Sequence, residues 1–127
     1  MNKLIILGCC FIFVFLNSGC KYENEETLYG VCDTTNATYD KVVKPILVGN
    51  CTSCHNASNP GGGYNLSSYQ DDVDGNLGVQ SSALNGGLYG TISYDPNHSP
   101  MPKGKSKLDD CSINKVKAWV DRGALNN

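Results

Sequence analysis

Cys51-Thr52-Ser53-Cys54-His55 is the stretch around which the rest of this 127-residue chain is organised. Two thiols three positions apart can each add to a vinyl group of one porphyrin, which makes two thioether bonds. The histidine that follows is then held under the iron and can ligate it through a ring nitrogen. The Cys-x-x-Cys-His pattern is the attachment signature of c-type haem. It predicts one covalent haem c on Cys51 and Cys54, with His55 as an axial ligand of the iron.

Two other kinds of site also use closely spaced cysteines. A zinc site built from four cysteines, or from two cysteines and two histidines, needs a second ligand pair at similar short spacing, and the chain has none. A redox-active dithiol would use the Cys-x-x-Cys pair alone. We rank both interpretations far below haem attachment.

The N-terminus has the pattern of a secretory signal. Lys3 precedes an uncharged apolar run, and the run ends in small residues before Cys20. The run is too short for a transmembrane helix, which needs about 20 apolar residues. We therefore expect residues 1–19 to be removed, and the chain to be exported.

Cys20 directly after Ser18-Gly19 resembles a bacterial lipobox, although Asn17 stands where an aliphatic residue is usual. A diacylated Cys20 would anchor the protein to a membrane more firmly than a single acyl chain does. The alternative is ordinary cleavage near Gly19 that leaves Cys20 free. We expect residues 20–30 to form a flexible tether, and the protein to be a periplasmic or cell-surface lipoprotein of a Gram-negative bacterium.

The remaining cysteines suggest a disulfide. Once the signal peptide, the lipid site and the haem motif are accounted for, Cys32 and Cys111 are left. An even remainder in an exported chain indicates a disulfide bond, and two free thiols are the alternative. The mature chain would carry nine basic and twelve acidic side chains, a balance that gives no support to nucleic-acid binding.

Two amphipathic segments predict the main helices. In the first, apolar residues recur with helical spacing from Tyr39 to Leu47, and we expect Pro45 to cause a kink or a restart. In the second, Ser112 to Arg122 has one apolar face, with capping residues before it and Gly123 as its stop.

Between these two predicted helices the secondary-structure signals are weaker. Brief helices are expected at 79–84 and 88–92, and a helix start at 66–69. The glycines at 61–63 could lie against a flat macrocycle or form a plain flexible connection. Strands have little support, so the sequence predicts an all-α domain over residues 31–127 with long glycine- and proline-rich loops.

The sixth ligand of the iron is sought by elimination. Thioether and imidazole are the usual partners of a histidine-ligated haem. Outside Met1 and His55, the chain offers only Met101 and His98. Met101 stands between Pro100 and Pro102, which stiffen its loop, and we favour it. His98 or an open position are the alternatives.

The haem motif, Met101-Pro102 and a C-terminal helix with Trp119-Val120 together resemble a class I c-type cytochrome domain. More narrowly, the chain resembles small exported monohaem cytochromes c of Bacteroidetes-type bacteria over about residues 31–127. The resemblance implies a small helical domain whose first and last helices cross around the haem.

The resulting expectation is an electron carrier rather than an enzyme, a monomer that exchanges single electrons with redox proteins. Lys103, Lys105 and Lys107 could steer an acidic partner, or could simply form a solvated loop. The alternatives are a haem sensor or peroxidase-like protein with a labile sixth ligand, and a haem-bearing subunit of a larger redox enzyme.

Overall fold

The first helix changes its hydrogen-bonding pattern part way along. The computed structural model describes residues 31–127, so the signal peptide, Cys20 and the tether lie outside the described residues. A π-helical turn, Tyr39–Val43, leads directly into helix α1, Lys44–Asn50, with Pro45 in its first turn. Because proline has no backbone N–H, one main-chain hydrogen bond of the helix is missing at Pro45. The predicted restart is confirmed there.

A short hairpin follows the haem motif. Strand β1, His55–Asn56, pairs antiparallel with strand β2, Asn59–Pro60. The chain then makes a 3-10 turn, Gly61–Gly63, in which Gly62 has a φ of 65°. The expectation that strands have little support was wrong at this point, because the chain must reverse at once after the motif and the two strands close that reversal.

Two brief helices occupy the middle of the chain, as predicted. Helix α2 spans Val79–Leu84 and helix α3 spans Gly87–Ser93. The predicted helix start at 66–69 was wrong. The carbonyl groups of Ser68 and Tyr69 accept hydrogen bonds from the first N–H groups of α2, at 3.0 and 2.9 Å, so this segment serves as a cap for α2 instead of a helix of its own.

The last helix, α4, spans Asp110–Asp121. Asp109 caps its N-terminus, where the carboxylate accepts a hydrogen bond from the Ser112 N–H at 2.8 Å. Gly123 follows the C-terminus with a φ of 92°, a left-handed conformation that favours glycine. Both predicted ends of the helix are confirmed to within two residues.

The first and last helices pack against each other. Helix α4 contacts the π-helical turn, and the ring of Trp119 lies 5.8 Å from the ring of Tyr39. The Trp119 indole N–H donates to the Leu125 carbonyl at 2.8 Å. At the same end, Asn127 accepts hydrogen bonds from the N–H groups of Tyr39 and Asp40, at 2.9 and 2.8 Å. The C-terminus therefore satisfies N–H groups at the start of the first helix.

One buried cluster joins these elements. Its largest fully buried members are Trp119, Leu47, Val43, Val79 and Val116. Helices make up 41% of the described residues, with few strands. The all-α prediction is thus confirmed in the coarser sense of a helix-rich fold.

Cys32 and Cys111 are disulfide-bonded and lie at disulfide distance from each other, as the cysteine count predicted.

Among residues 31–127, none of the helices has the length and apolar character needed to cross a membrane.

Candidate haem-attachment site

The Cys51–His55 motif forms a single tight turn at the end of α1. The Cys51 N–H donates to the Leu47 carbonyl at 2.8 Å, which continues the helical ladder by one step. The Cys51 carbonyl then accepts from the N–H groups of both Cys54 and His55, at 3.1 and 3.0 Å. The two cysteines and the histidine are therefore held within one turn of backbone.

The two thiols of the motif are free but differ in environment. Cys54 is exposed, whereas Cys51 is half-buried and packs against the hydrophobic cluster. Burial raises the pKa of the Cys51 thiol to about 11, and the positive charge of Lys105 opposes that rise. Cys51 is therefore a neutral thiol at physiological pH.

Backbone of the glycine segment covers one side of the His55 ring. A Cβ atom on Gly61 would lie 3.2 Å from both Cε1 and Nδ1 of His55, and 2.9 Å from the Cys54 carbonyl oxygen. Nδ1 of His55 is buried and has no hydrogen-bond partner. The ring of Tyr64 meets the His55 ring edge-on at 6.5 Å between centroids. The glycine segment thus packs against the histidine of the motif.

The hairpin after the motif is fixed by Asn56, a residue that sequence reasoning missed. Its side-chain N–H donates to the Thr52 carbonyl at 2.8 Å, and its side-chain oxygen accepts from the N–H groups of Ser58 and Asn59, at 2.9 and 3.0 Å. Asn56 thus ties the motif to its hairpin. The only sequence signal was an asparagine directly before a turn-rich segment, where its side chain readily bonds to nearby backbone.

Met101, the favoured sixth ligand, is half-buried and anchored through its backbone. Its N–H donates to the Thr91 carbonyl at 3.0 Å, near the C-terminus of α3. The other candidate, His98, lies on the backbone of α3, because a Cβ atom on Gly90 would come within 2.4 Å of its Nδ1. The His98 ring is thus already packed against α3.

Helix α3 is the element that relates the motif to the Met101 loop. A Cβ atom on Gly87, at the start of α3, would lie 3.5 Å from the Tyr64 hydroxyl oxygen, and Tyr64 in turn contacts His55. Thr91, further along α3, holds Met101. Within residues 31–127, no hydrogen bond, ion pair or ring contact joins His55 to Met101 directly, and α3 contacts both Met101 and the Tyr64 neighbour of His55.

Residues 31–127 contain no group of three or more His, Cys, Asp or Glu side chains arranged to hold a metal ion. A haem iron needs only one axial ligand on each face, so this finding bears on a zinc site rather than on haem. No protein-family model, curated protein or solved structure gave a significant match to this chain.

Proposed function

We propose that this chain is an exported monohaem c-type cytochrome that carries single electrons between redox proteins outside the cytoplasm. The observation that carries the proposal is the turn at Cys51–His55. It combines two free thiols with a histidine whose ring is backed by Gly61. These residues suit a porphyrin attached at two points and ligated from one side.

The two thiols fit thioether formation better than dithiol redox chemistry. A reactive Cys-x-x-Cys pair lowers the pKa of its attacking thiol, whereas burial raises that of Cys51 to about 11. In attachment, each thiol adds across one vinyl group, with sulfur on one carbon and hydrogen on the other. The step therefore consumes no oxidant or reductant.

His55 is the proposed proximal ligand. Its Nδ1 is buried against Gly61, which leaves Nε2 as the nitrogen for the iron. The turn, the hairpin and Tyr64 fix the direction of the ring, so that the imidazole need not reorganise when the iron changes its oxidation state. A bound haem would supply reversible one-electron chemistry.

Met101 is the proposed sixth ligand. A soft thioether stabilises ferrous iron and raises the reduction potential relative to a second histidine. The support for Met101 is its anchored backbone, together with the engagement of His98 on Gly90. Permanent ligation on both faces is what distinguishes an electron carrier from a sensor or a peroxidase-like protein, which needs an open or labile position.

We place the carrier on the periplasmic side or on the surface of a Gram-negative bacterium, anchored by lipid on Cys20. The partners would be redox proteins rather than nucleic acid, and the protein would act as a monomer. The location rests on the N-terminal sequence, and the choice of redox proteins over nucleic acid rests on the charge balance.

The test is the spectrum of the ferric protein made in a host with c-type maturation machinery. A methionine-ligated iron gives a weak far-red charge-transfer band, which Met101→Ala should abolish while haem remains attached. Reduced wild-type protein should bind carbon monoxide slowly, and Met101→Ala should bind it readily. A wild-type protein with attached haem, no such band and rapid carbon monoxide binding would favour the sensor or peroxidase-like alternative.

A further inference from the structure

The loop that carries Met101 leaves the end of helix α3 and then returns to it. Tyr94 adopts a left-handed conformation with a φ of 65°, which ends the helix. The Gly90 carbonyl accepts from the Asp95 N–H at 3.0 Å, and the Thr91 carbonyl accepts from the Met101 N–H at 3.0 Å. The last carbonyl groups of a helix lack partners within it, and here the Met101 loop donates to two of the last four in α3.

Asp95 organises the turn inside this loop. Its carboxylate accepts from the backbone and side-chain N–H groups of Asn97, at 2.8 and 3.0 Å. Its carbonyl accepts from the His98 N–H at 2.9 Å. The Asn97 and His98 hydrogen bonds hold the pKa of Asp95 below its usual value, so the carboxylate is charged. It lies 3.5 Å from Nδ1 of His98.

The closest contact in the loop is between His98 and Gly90. A Cβ atom on Gly90 would come within 2.4 Å of Nδ1, 2.5 Å of Cε1 and 2.6 Å of Cγ of the ring. No real Cβ could occupy that space, so the imidazole lies directly on the helix backbone.

The backbone conformation of Gly90 offers no other reason for a glycine. Gly90 is buried in the middle of α3, and its φ is not among the positive ones. Glycine is the least favourable residue in a helix interior after proline. The approach of His98 explains why the position nevertheless lacks a side chain.

We propose that His98 is a positioning residue for the sixth ligand, and that its contact with Gly90 locks the loop that presents Met101. This inference rests on the proposed function, since it concerns how firmly Met101 is held at the iron. His98 is then the support of the ligand rather than a second candidate for ligation, as the sequence alone allowed.

The test uses three variants of the haem-loaded full chain: His98→Ala, Gly90→Ala and the double variant. Each single change should weaken the far-red methionine–iron band and speed carbon monoxide binding to the reduced form by about three- to tenfold, the factor expected from losing one stabilising contact. Ser99→Ala is the matched control in the same loop. It should leave both readouts unchanged, because the Ser99 side chain is exposed.

The double variant separates the contact from general destabilisation. When His98 is alanine, the imidazole no longer occupies the position of the new methyl group on residue 90. Alanine is also a better helix former than glycine. Gly90→Ala should therefore raise the melting temperature in the His98→Ala background, yet lower it in the wild type. Additive effects on the melting temperature would overturn the inference.

The remaining outcomes separate this inference from the proposed function. Attached haem with a methionine–iron band that survives both single changes would overturn the positioning role and leave the proposed function standing. Loss of low-spin ligation in His98→Ala, with the spectrum unaffected by Met101→Ala, would make His98 the ligand and overturn the inference. Absence of attached haem in the wild type would overturn the proposed function itself.

Discussion

Gly61 and His55 are in direct contact, since a Cβ atom on Gly61 would lie 3.2 Å from two atoms of the His55 ring. The same Cβ atom would lie 2.9 Å from the Cys54 carbonyl oxygen. That oxygen accepts a hydrogen bond from the Gly61 N–H at 3.1 Å. Gly61 therefore limits the orientation of the His55 ring. The ring can pack this closely on the backbone because Gly61 has no side chain.

Gly61→Ala should accordingly disturb the site. The added methyl group must push the His55 ring or the Cys54 carbonyl, at a cost of about 1–3 kcal/mol for overpacking. We expect a lower yield of attached haem and a shifted reduction potential. The measurements are haem content per chain and potentiometric titration.

Gly49→Ala is the matched control for that change. Gly49 lies in α1, and nothing stands within 4 Å of its added Cβ. Alanine there should stabilise the protein by up to about 1 kcal/mol through helix propensity. Equal losses of haem in the two variants would show that the Gly61 contact has no special role.

Trp119→Ala should remove much of the contact between the first and last helices. Trp119 is only 1% exposed and packs on Tyr39, so its truncation should cost about 3–5 kcal/mol. Denaturant unfolding of the oxidised protein gives the value. Val48→Ala, at a side chain 60% exposed, should change the free energy of unfolding by less than about 0.5 kcal/mol. A loss below 1 kcal/mol at Trp119 would contradict the packing described for this end of the domain.

Asp109 should make the stability of α4 dependent on pH. Hydrogen bonds from the Ser112 hydroxyl and N–H hold the pKa of Asp109 below its usual value. The stabilisation is therefore fully present above the unfolded carboxyl pKa of about 4, and it is lost as the pH falls through the lower pKa of the folded state.

Asp109→Ala should cost about 1 kcal/mol at pH 7, as for other helix caps. The difference in unfolding free energy between the wild type and the variant should shrink below about pH 4, because the Asp109 carboxyl is protonated first in the unfolded chain and then, at lower pH, in the folded one. Urea titrations from pH 7 down to pH 2.5 measure it. A difference that stays constant across this range would show that the carboxylate charge is not what caps the helix.

Lys105 should contribute to partner docking. The positive charge of Lys105 opposes the rise in the pKa of the Cys51 thiol, whereas Lys107 already pairs with Asp110 at 3.8 Å. Lys105→Gln should slow electron exchange with an acidic redox partner at low salt, by about two- to fivefold for one charge. Stopped-flow rates over a range of ionic strength give the salt slope. Lys115→Gln, on α4, is the control; the same rate and salt slope in both variants would rule out a docking role for Lys105.

The parts of the fold that follow from local rules were predictable from sequence. The apolar stripe of the first helix and the capped last helix are patterns that each segment carries on its own. The restart at Pro45 follows from a missing N–H group. The disulfide between Cys32 and Cys111 followed from counting cysteines.

The contacts that arrange the site were not predictable, because each joins segments whose pairing no local pattern encodes. The Gly61–His55 contact needs the hairpin, and the side chain of Asn56 joins that hairpin to Thr52. The carbonyl groups of residues 68 and 69 are used by helix α2, so a local helix signal was overridden by tertiary hydrogen bonding.

The most direct test of covalent haem attachment is the alkaline pyridine spectrum of the protein made with and without c-type maturation machinery, together with the mass of the intact chain. With the machinery, we predict one haem per chain, a spectrum typical of two thioether bonds and a mass increase of one haem under denaturing conditions. Cys51→Ala and Cys54→Ala should each give the spectrum of a single thioether. A wild-type protein that carries no haem, or only haem that denaturant removes, would contradict the account.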